Sequence, residues 1–387
     1  MPQSGSPSHF ATCPRGLEAL LAAELARLGA GKVAPGSGGV AFEGDARAIY
    51  RINLESRLAT RVLRCLGTNA YRNEKDIYEF ARAQPWQRWF RVSQSIRVDI
   101  TAVRSPLKSI DFATLRIKDA ICDRFRDDTG SRPNVDTRSP DVRIQAYLTR
   151  DSATLYLDTS GEPLYKRGYR AQSVEAPLKE NLAAGILMLT GWNPGETLLD
   201  PMCGGGTLLA EAAMMGRNIA PGLGRSFGFE RLADFDAGLW ASVREAALAA
   251  RTPDRQLSIH GSDLHYREVE YAKENLRAAG LADVVRIKQA SATDLRPPAP
   301  EGVLVTNPPY GERIGEKEDL LALYPKLGDW MKQYFAGWRC YFFTGDPELP
   351  KGIRLKASRR TPLFNGAIEC RLFEYRIIAG SNRREKP

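Results

Sequence analysis

The chain has 387 residues, 43% of them hydrophobic, and a formal net charge of +9. It is too long for a single nucleotide-binding domain and suggests two or three folded units. No apolar run is long enough to cross a bilayer, the six cysteines form no CxxC pair and the three histidines have no ligand spacing, so neither a membrane span, disulfides nor a metal site is expected.

In chain order, Pro14-Arg15-Gly16-Leu17 opens an amphipathic helix to Leu28, whose Glu18 and Glu24 make it unlike a signal peptide, and a cytoplasmic protein is expected. The glycine-rich Gly36–Gly39, a strand at Val40–Phe42 and a helix from about Ala46 to Arg57 complete a small α+β unit that changes character near Gly67. Alternation after Ser95 predicts a strand to Val103, followed by a helix over Phe112–Arg126 and strands near Val142–Thr149 and Ala153–Thr159. Residues 1–170 carry 27 Lys and Arg against 19 Asp and Glu, whereas residues 171–387 carry 28 against 27. A cationic front half suits a polyanion, with phosphate contacts giving affinity and position. The candidate contacts are Arg97, Arg104, Lys108, Arg116 and Lys118, together with Lys166, Arg167 and Arg170 in the mixed basic and aromatic run Tyr165–Arg170. The plainer reading is a solvated face with a basic linker.

The second half carries the chemistry. Thr197–Asp200 reads as a short strand, Pro201-Met202-Cys203-Gly204-Gly205-Gly206-Thr207 as a glycine loop, and Leu208 onward as a helix to Met215. Glycines let backbone N–H groups approach a ligand, and a helix N-terminus favours a carboxylate. This is no Walker loop, since no Gly-Lys-Ser/Thr follows, and Leu209 stands where a dinucleotide fingerprint needs its third glycine. Cys203 reads as a small packing residue. About 60 residues separate the loop from the next strand-end acid, so Arg217–Gln256, with a helix near Asp234–Ala249, is an insertion that either helps cover substrate or is a peripheral structural helix. Strand Leu257–Asp263, helix Arg267–Ala279, strand Val284–Ala290 and then Asp294 follow. Ligands of open α/β sheets bind outside the carboxyl ends of the strands, so Asp200, Asp263, Asp294 and Asn307 are expected to converge, with Asp263 suited to ribose hydroxyls and Asp294 to an adenine amine.

The fourth strand ends in Asn307-Pro308-Pro309-Tyr310. An amine conjugated to a ring is a poor nucleophile that becomes cationic as it attacks a methyl donor. The Asn307 side-chain oxygen and the Pro308 carbonyl can accept its two N–H bonds, stabilising that charge, while Tyr310 stacks on the flat base. The prolines stiffen the turn so that the acceptors point outward. A helix over Asp319–Phe335, a strand at Trp338–Thr344 and a hairpin turning at Asn365-Gly366 between extended runs Ile353–Phe364 and Ala367–Ile378 close the chain.

This order of motifs resembles the class I S-adenosylmethionine-dependent methyltransferases. Asp200–Thr207 stands as the methionine-end loop and Asn307–Tyr310 as the amino-methylating signature. The resemblance implies a Rossmann-like α/β fold, a mostly parallel seven-stranded sheet ending in an antiparallel hairpin, with S-adenosylmethionine as cofactor. It implies cofactor contacts at Asp200, Pro201, Cys203, Gly204, Gly206, Thr207 and Asn307, ribose binding at Asp263 with Leu264 beside it, adenine binding at Asp294, and Asn181, within Ala176–Leu182, near the methionine end. Cys13–Glu18, Ile117–Ile121 and Leu157–Gly161 resemble the ferredoxin-like plus THUMP region of THUMP-containing RNA methyltransferases, especially the bacterial 23S ribosomal RNA guanine-N(2) family. That likeness implies a ferredoxin-like α+β unit over 1–66, a THUMP RNA-binding domain over 67–165, a methyltransferase domain over 166–387, and methylation of a guanosine exocyclic amine in 23S ribosomal RNA without metal. Alternatives are transfer RNA, an adenine of DNA, a protein glutamine, or an inactive RNA-binding assembly factor; a nicotinamide oxidoreductase is disfavoured by Leu209 and the distant second acid.

Overall fold

The computed structural model describes residues 9–170, 178–309 and 316–378. They gather into two compact units that exchange segments. The first takes the chain up to Cys13, Leu21–Leu164 and Gly222–Ala246; the second takes Pro14–Leu20, Tyr165–Pro221 and the chain from Ala247 on.

The first unit is built from β1 (His9–Thr12), α1 (Glu18–Arg27, whose first turn belongs to the second unit), β2 (Gly31–Gly36), β3 (Gly39–Glu43), α2 (Ala46–Glu55), β4 (Arg61–Ala70), α3 (Glu74–Arg82), β5 (Ile96–Ala102), α4 (Ile110–Thr129), β6 (Val142–Leu148) and β7 (Ser152–Asp158). Its strands form one sheet in the order β2-β3-β1-β4-β7-β6-β5. β4 is the seam: it pairs antiparallel with β1 through Arg61–Arg64 and with β7 through Leu63–Ala70, and the change expected near Gly67 falls at a register shift inside this one strand. Caps fix helix ends that apolar spacing alone left short. The Ser109 hydroxyl accepts the Phe112 N–H at 3.1 Å, and Gly130 closes the other end at φ 75°, so α4 outruns its expected span at both ends.

Gly222–Ala246 completes this unit's core. Tyr50 stacks on Phe229 with ring centroids 4.4 Å apart, Trp240 meets Phe229 edge-on at 5.0 Å, and Arg64 pairs with Asp234 at 2.7 Å. The middle of the insertion, Gly222–Ala246, is therefore a packed structural part of the first unit, in line with the structural-helix alternative. Burial of its aromatic rings explains the placement, since such clusters dominate core energetics.

The second unit runs α5 (Glu180–Thr190), β8 (Leu198–Asp200), α6 (Thr207–Gly216), α7 (Ala237–Ala249, mostly in the first unit), β9 (Ile259–Asp263), α8 (Tyr266–Ala278), β10 (Val285–Gln289), β11 (Val303–Thr306), α9 (Glu316–Tyr334), β12 (Arg339–Thr344), α10 (Leu349–Gly352), β13 (Arg359–Asn365) and β14 (Ile368–Arg376). The sheet order is β10-β9-β8-β11-β12-β14-β13, parallel except for β14, as the resemblance implied. β11 is buried along its whole length, which is why it reads as a continuous apolar run. The hairpin turns at Asn365-Gly366 as expected, but β13 begins only at Arg359, after α10 and a left-handed turn at Arg354 (φ 55°) that interrupts the expected extended run. β13 is an edge strand, so it tolerates Pro362, which has no N–H to give a second neighbour.

Behind the sheet, Trp330 of α9 packs on Phe335, just past its end, and Phe335 on Trp338, with ring centroids 4.4 and 5.2 Å apart. Gly328 lets α9 approach the chain after α10: a Cβ there would lie 2.0 Å from the Ile353 carbonyl oxygen, a backbone atom that cannot swing aside. Gly328→Ala is expected to destabilise the protein by about 1–3 kcal/mol, the usual cost of overpacking. Denaturant unfolding checks this, and a midpoint equal to wild type would refute the close approach.

Candidate active site

Parallel pairing sets the ends of β8, β9 and β11 side by side, with Asp200 opposite Gly261 and Leu199 opposite Leu304. Asp200 is buried, and its Oδ1 accepts from the Thr306 hydroxyl at 2.8 Å and the Met202 N–H at 3.2 Å. It thus ties the glycine loop to the strand that precedes Asn307. Burial pushes the Asp200 carboxyl up to about 7 against the pull of these two bonds, and nearby Asp263 adds to the rise. Between about pH 4, where an unfolded carboxyl ionises, and about pH 7, the folded protein keeps a proton that the unfolded chain has lost. Stability from this group is therefore lost as pH rises through that window. Asp200→Asn keeps an amide oxygen for both donors, so its unfolding free energy is expected to lack this fall; identical pH profiles for variant and wild type would contradict the burial.

The loop is fastened to β9 at several points. Cys203 N–H donates to the Ser262 carbonyl at 2.9 Å, the Ser262 hydroxyl donates to the Pro201 carbonyl at 3.1 Å, and Asp263 accepts the Gly204 N–H at 2.9 Å and the His265 N–H at 3.0 Å. Gly206, at φ 77°, stands as the cap of α6 against Ala272, so the turn itself requires glycine. Burial pushes the Cys203 thiol far above its usual range, which suits packing and not nucleophilic attack. Over Gly204 a Cβ would find nothing among the described residues nearer than Glu268 Oε2 at 4.0 Å. That oxygen is buried without a hydrogen-bond partner among the described residues, and burial, then Asp263, holds the Glu268 carboxyl above its ordinary range. Sequence reasoning passed over Glu268 and Thr306.

Asn307 follows the end of β11, with Pro308 buried and Pro309 exposed. The Asn307 Oδ1 is buried and has no hydrogen-bond partner among the described residues. An acceptor left so costs about 1–3 kcal/mol unless a donor arrives. Tyr310 lies outside the described residues. Leu264 is 61% exposed and Asp294 is exposed on a short 3-10 turn after β10, so both stand at the rim, whereas Asp200, the glycine loop, Asp263 and Asn307 are drawn together.

Asn181 is buried one residue into α5. The preceding Glu180 accepts from Arg170 Nε at 3.0 Å, and the same guanidinium donates to the Leu178 carbonyl at 3.0 Å and the Thr207 hydroxyl at 3.3 Å. Arg170 therefore clasps α5 to the first residue of α6. Arg167 has a side chain only 2% exposed and pairs with Glu211 at 3.4 Å, while Tyr169 donates to the same carboxylate at 3.3 Å. The expectation that Arg167 and Arg170 face a polyanion is corrected: both turn inward, where buried carboxylates hold them. Lys166 is exposed. In the first unit, Arg97 pairs with Asp99 at 2.7 Å, Arg116 lies 4.1 Å over the Tyr78 ring and Lys118 pairs with Asp119. Arg104 and Lys108 are exposed. Among the described residues no helix is long and apolar enough to cross a membrane.

Comparison with known proteins agrees with this geometry. Residues 167–374 match the family model described as RMKL-like, methyltransferase domain, residues 71–158 match the THUMP domain, and residues 8–63 match the RlmL ferredoxin-like domain. Ribosomal RNA large subunit methyltransferase K/L of Syntrophotalea carbinolica is 43% identical over 379 residues, which cover 95% of this chain and 53% of that protein. Its counterpart in Shewanella amazonensis is 42% identical over 384 residues, 98% of this chain and 54% of that one. The chain thus spans about half the length of the curated relatives it matches. Among solved structures, SMU.472, named as a methyltransferase and complexed with SAH, superposes with a TM-score of 0.87 at 33% identity, covering 97% of this chain and 99% of that one. A Listeria monocytogenes protein described as an N6-adenine-specific DNA methylase does so at the same score and identity, covering 96% and 97%. With more than half of its residues inside the first of these family models, and with the strand-end acids and glycine loop in one place, the chain belongs to the RMKL-like methyltransferase-domain family.

Proposed function

We propose that the chain transfers a methyl group from S-adenosylmethionine to the exocyclic amine of a guanosine in 23S ribosomal RNA, acting in the cytoplasm. The observation that carries this reading is the Asn307 Oδ1, buried and without a hydrogen-bond partner among the described residues, next to Thr306, which bonds Asp200 at the start of the glycine loop: an acceptor waiting for an N–H. The loop suits the cofactor: among the described residues nothing crowds Gly204, and Asp263 stands at its edge with a carboxylate for hydroxyl donors. Asn181, Asp200, Pro201, Cys203, Gly204, Gly206, Thr207, Asp263, Leu264 and Asp294 would hold S-adenosylmethionine, which supplies an electrophilic methyl on a sulfonium. Asn307 and Pro308 accept from the target amine and stabilise its growing positive charge, and Tyr310 stacks on the base. A base in an RNA helix is out of reach, so the target is unstacked before transfer. Residues 1–66 and 67–165 serve as the RNA-holding part, with Arg97, Arg104, Lys108, Arg116, Lys118 and Lys166 as phosphate contacts, and 166–387 as the catalytic part.

The names of the K/L relatives support ribosomal RNA, while the Listeria protein's description favours adenine in DNA as the second reading. Incubation with 23S ribosomal RNA, transfer RNA and duplex DNA in the presence of labelled cofactor, followed by nucleoside mass spectrometry, separates them. N(2)-methylguanosine in ribosomal RNA is expected; label only in transfer RNA, in adenine of DNA, or nowhere overturns the proposal.

A further inference from the structure

The near-neutral balance of residues 171–387 hides a segregation of charge. From Leu349 to Ile368 the chain holds Lys351, Arg354, Lys356, Arg359 and Arg360 and no Asp or Glu. Lys351 pairs with Glu348 at 2.7 Å. Arg354 then turns the chain in the left-handed region at φ 55°, and Arg359 and Arg360 open β13, the edge of the sheet. Arg354, Lys356, Arg359 and Arg360 are all exposed, and among the described residues none has a carboxylate within ion-pair reach. The acids of neighbouring β14 are already engaged: Glu374, opposite Arg359, pairs with Arg376 at 2.6 Å, and Glu369 pairs with Arg371 at 3.1 Å. The Arg360 guanidinium lies 5.9 Å from the Phe373 ring, and so keeps its N–H donors for an outside partner.

Four uncompensated cations within seven residues repel one another, a cost that a polyanion relieves by releasing its counterions. We propose that this edge of the methyltransferase unit, Arg354 to Arg360, is an RNA-backbone contact in its own right, gripping phosphates of the strand that carries the target nucleotide. The inference rests on the RNA reading above and adds to it a contact inside the catalytic unit, where the overall charge count pointed only to the front half. A rival use of edge-strand cations is to deter pairing with other sheets.

The test compares two double variants of the full chain, R359A/R360A on β13 and R286A/K288A on β10, the exposed strand at the other edge of the same sheet. For R359A/R360A, the Kd for ribosomal RNA is expected to rise about tenfold and the slope of log Kd against log salt to shrink by about 1 to 2, since each lost phosphate contact removes roughly one unit. KM for RNA rises with it, kcat at saturating RNA stays, and calorimetric affinity for S-adenosylmethionine is unchanged, showing an intact fold. The R286A/K288A protein is expected to keep the wild-type slope. Equal losses in both variants, or a R359A/R360A protein that aggregates while binding RNA as wild type does, overturn the proposed surface. Wild-type protein that methylates no RNA at all would instead bring down the function on which it rests.

Discussion

Asn307→Ala is expected to lower methyl-transfer turnover on the order of a hundredfold or more, while affinity for S-adenosylmethionine changes little. The reasoning is electrostatic: a preorganised acceptor at a nitrogen that turns cationic acts as an oxyanion-hole donor does, with inverted sign, and losing one such group costs about that much. A second expectation separates chemistry from scaffolding. Because Asn307 Oδ1 is buried with no partner among the described residues, removing it relieves a desolvation cost, so the variant should unfold at the wild-type temperature or above it. Single-turnover kinetics beside thermal unfolding gives both numbers. A variant that turns over normally, or one that is slow only because it is less stable, defeats the assigned role.

Asp263→Ala is expected to act on the opposite parameter. Its carboxylate receives the Gly204 and His265 N–H groups, so the substitution withdraws the hydroxyl acceptor offered to the cofactor and also frees the glycine loop. Hydrogen bonds to a charged group are worth roughly 1.5–3 kcal/mol, which predicts a loss of about ten- to a hundredfold in cofactor affinity. Asp263→Asn retains one acceptor oxygen and should fall between. Titration calorimetry decides, and affinity equal to wild type in the Ala variant rules the role out.

What could be read beforehand follows how local each signal is. The loop after Asp200 and the end of β11 before Asn307 were legible because glycine and proline fix backbone geometry through their own covalent structure. The mostly parallel seven-stranded sheet followed from the resemblance, and the Asn365-Gly366 hairpin from its own short-range turn signal. The Thr306 bond to Asp200 joins residues 106 positions apart, and no neighbour in the chain announces it. Glu268 looks like an ordinary acid in a helix's first turn, which is favourable there for its own reasons. Arg167 was misread because a cation in a polar run resembles surface; the clue was Glu211, a lone acid inside the apolar stretch of α6, which needed a buried cation. β4 carries buried residues in succession and a register shift, so it lacks the strict alternation that betrays a strand.

The exchange of segments between the two units bears on how the protein matures during synthesis. Tyr50 waits for Phe229 and Trp240, so the amino-terminal body is still incomplete when residue 165 leaves the translating ribosome and closes only after another eighty or so residues have emerged. Proteolytic or genetic separation at the apparent border between front and back halves would consequently yield an amino-terminal fragment with an open apolar flank, prone to clump.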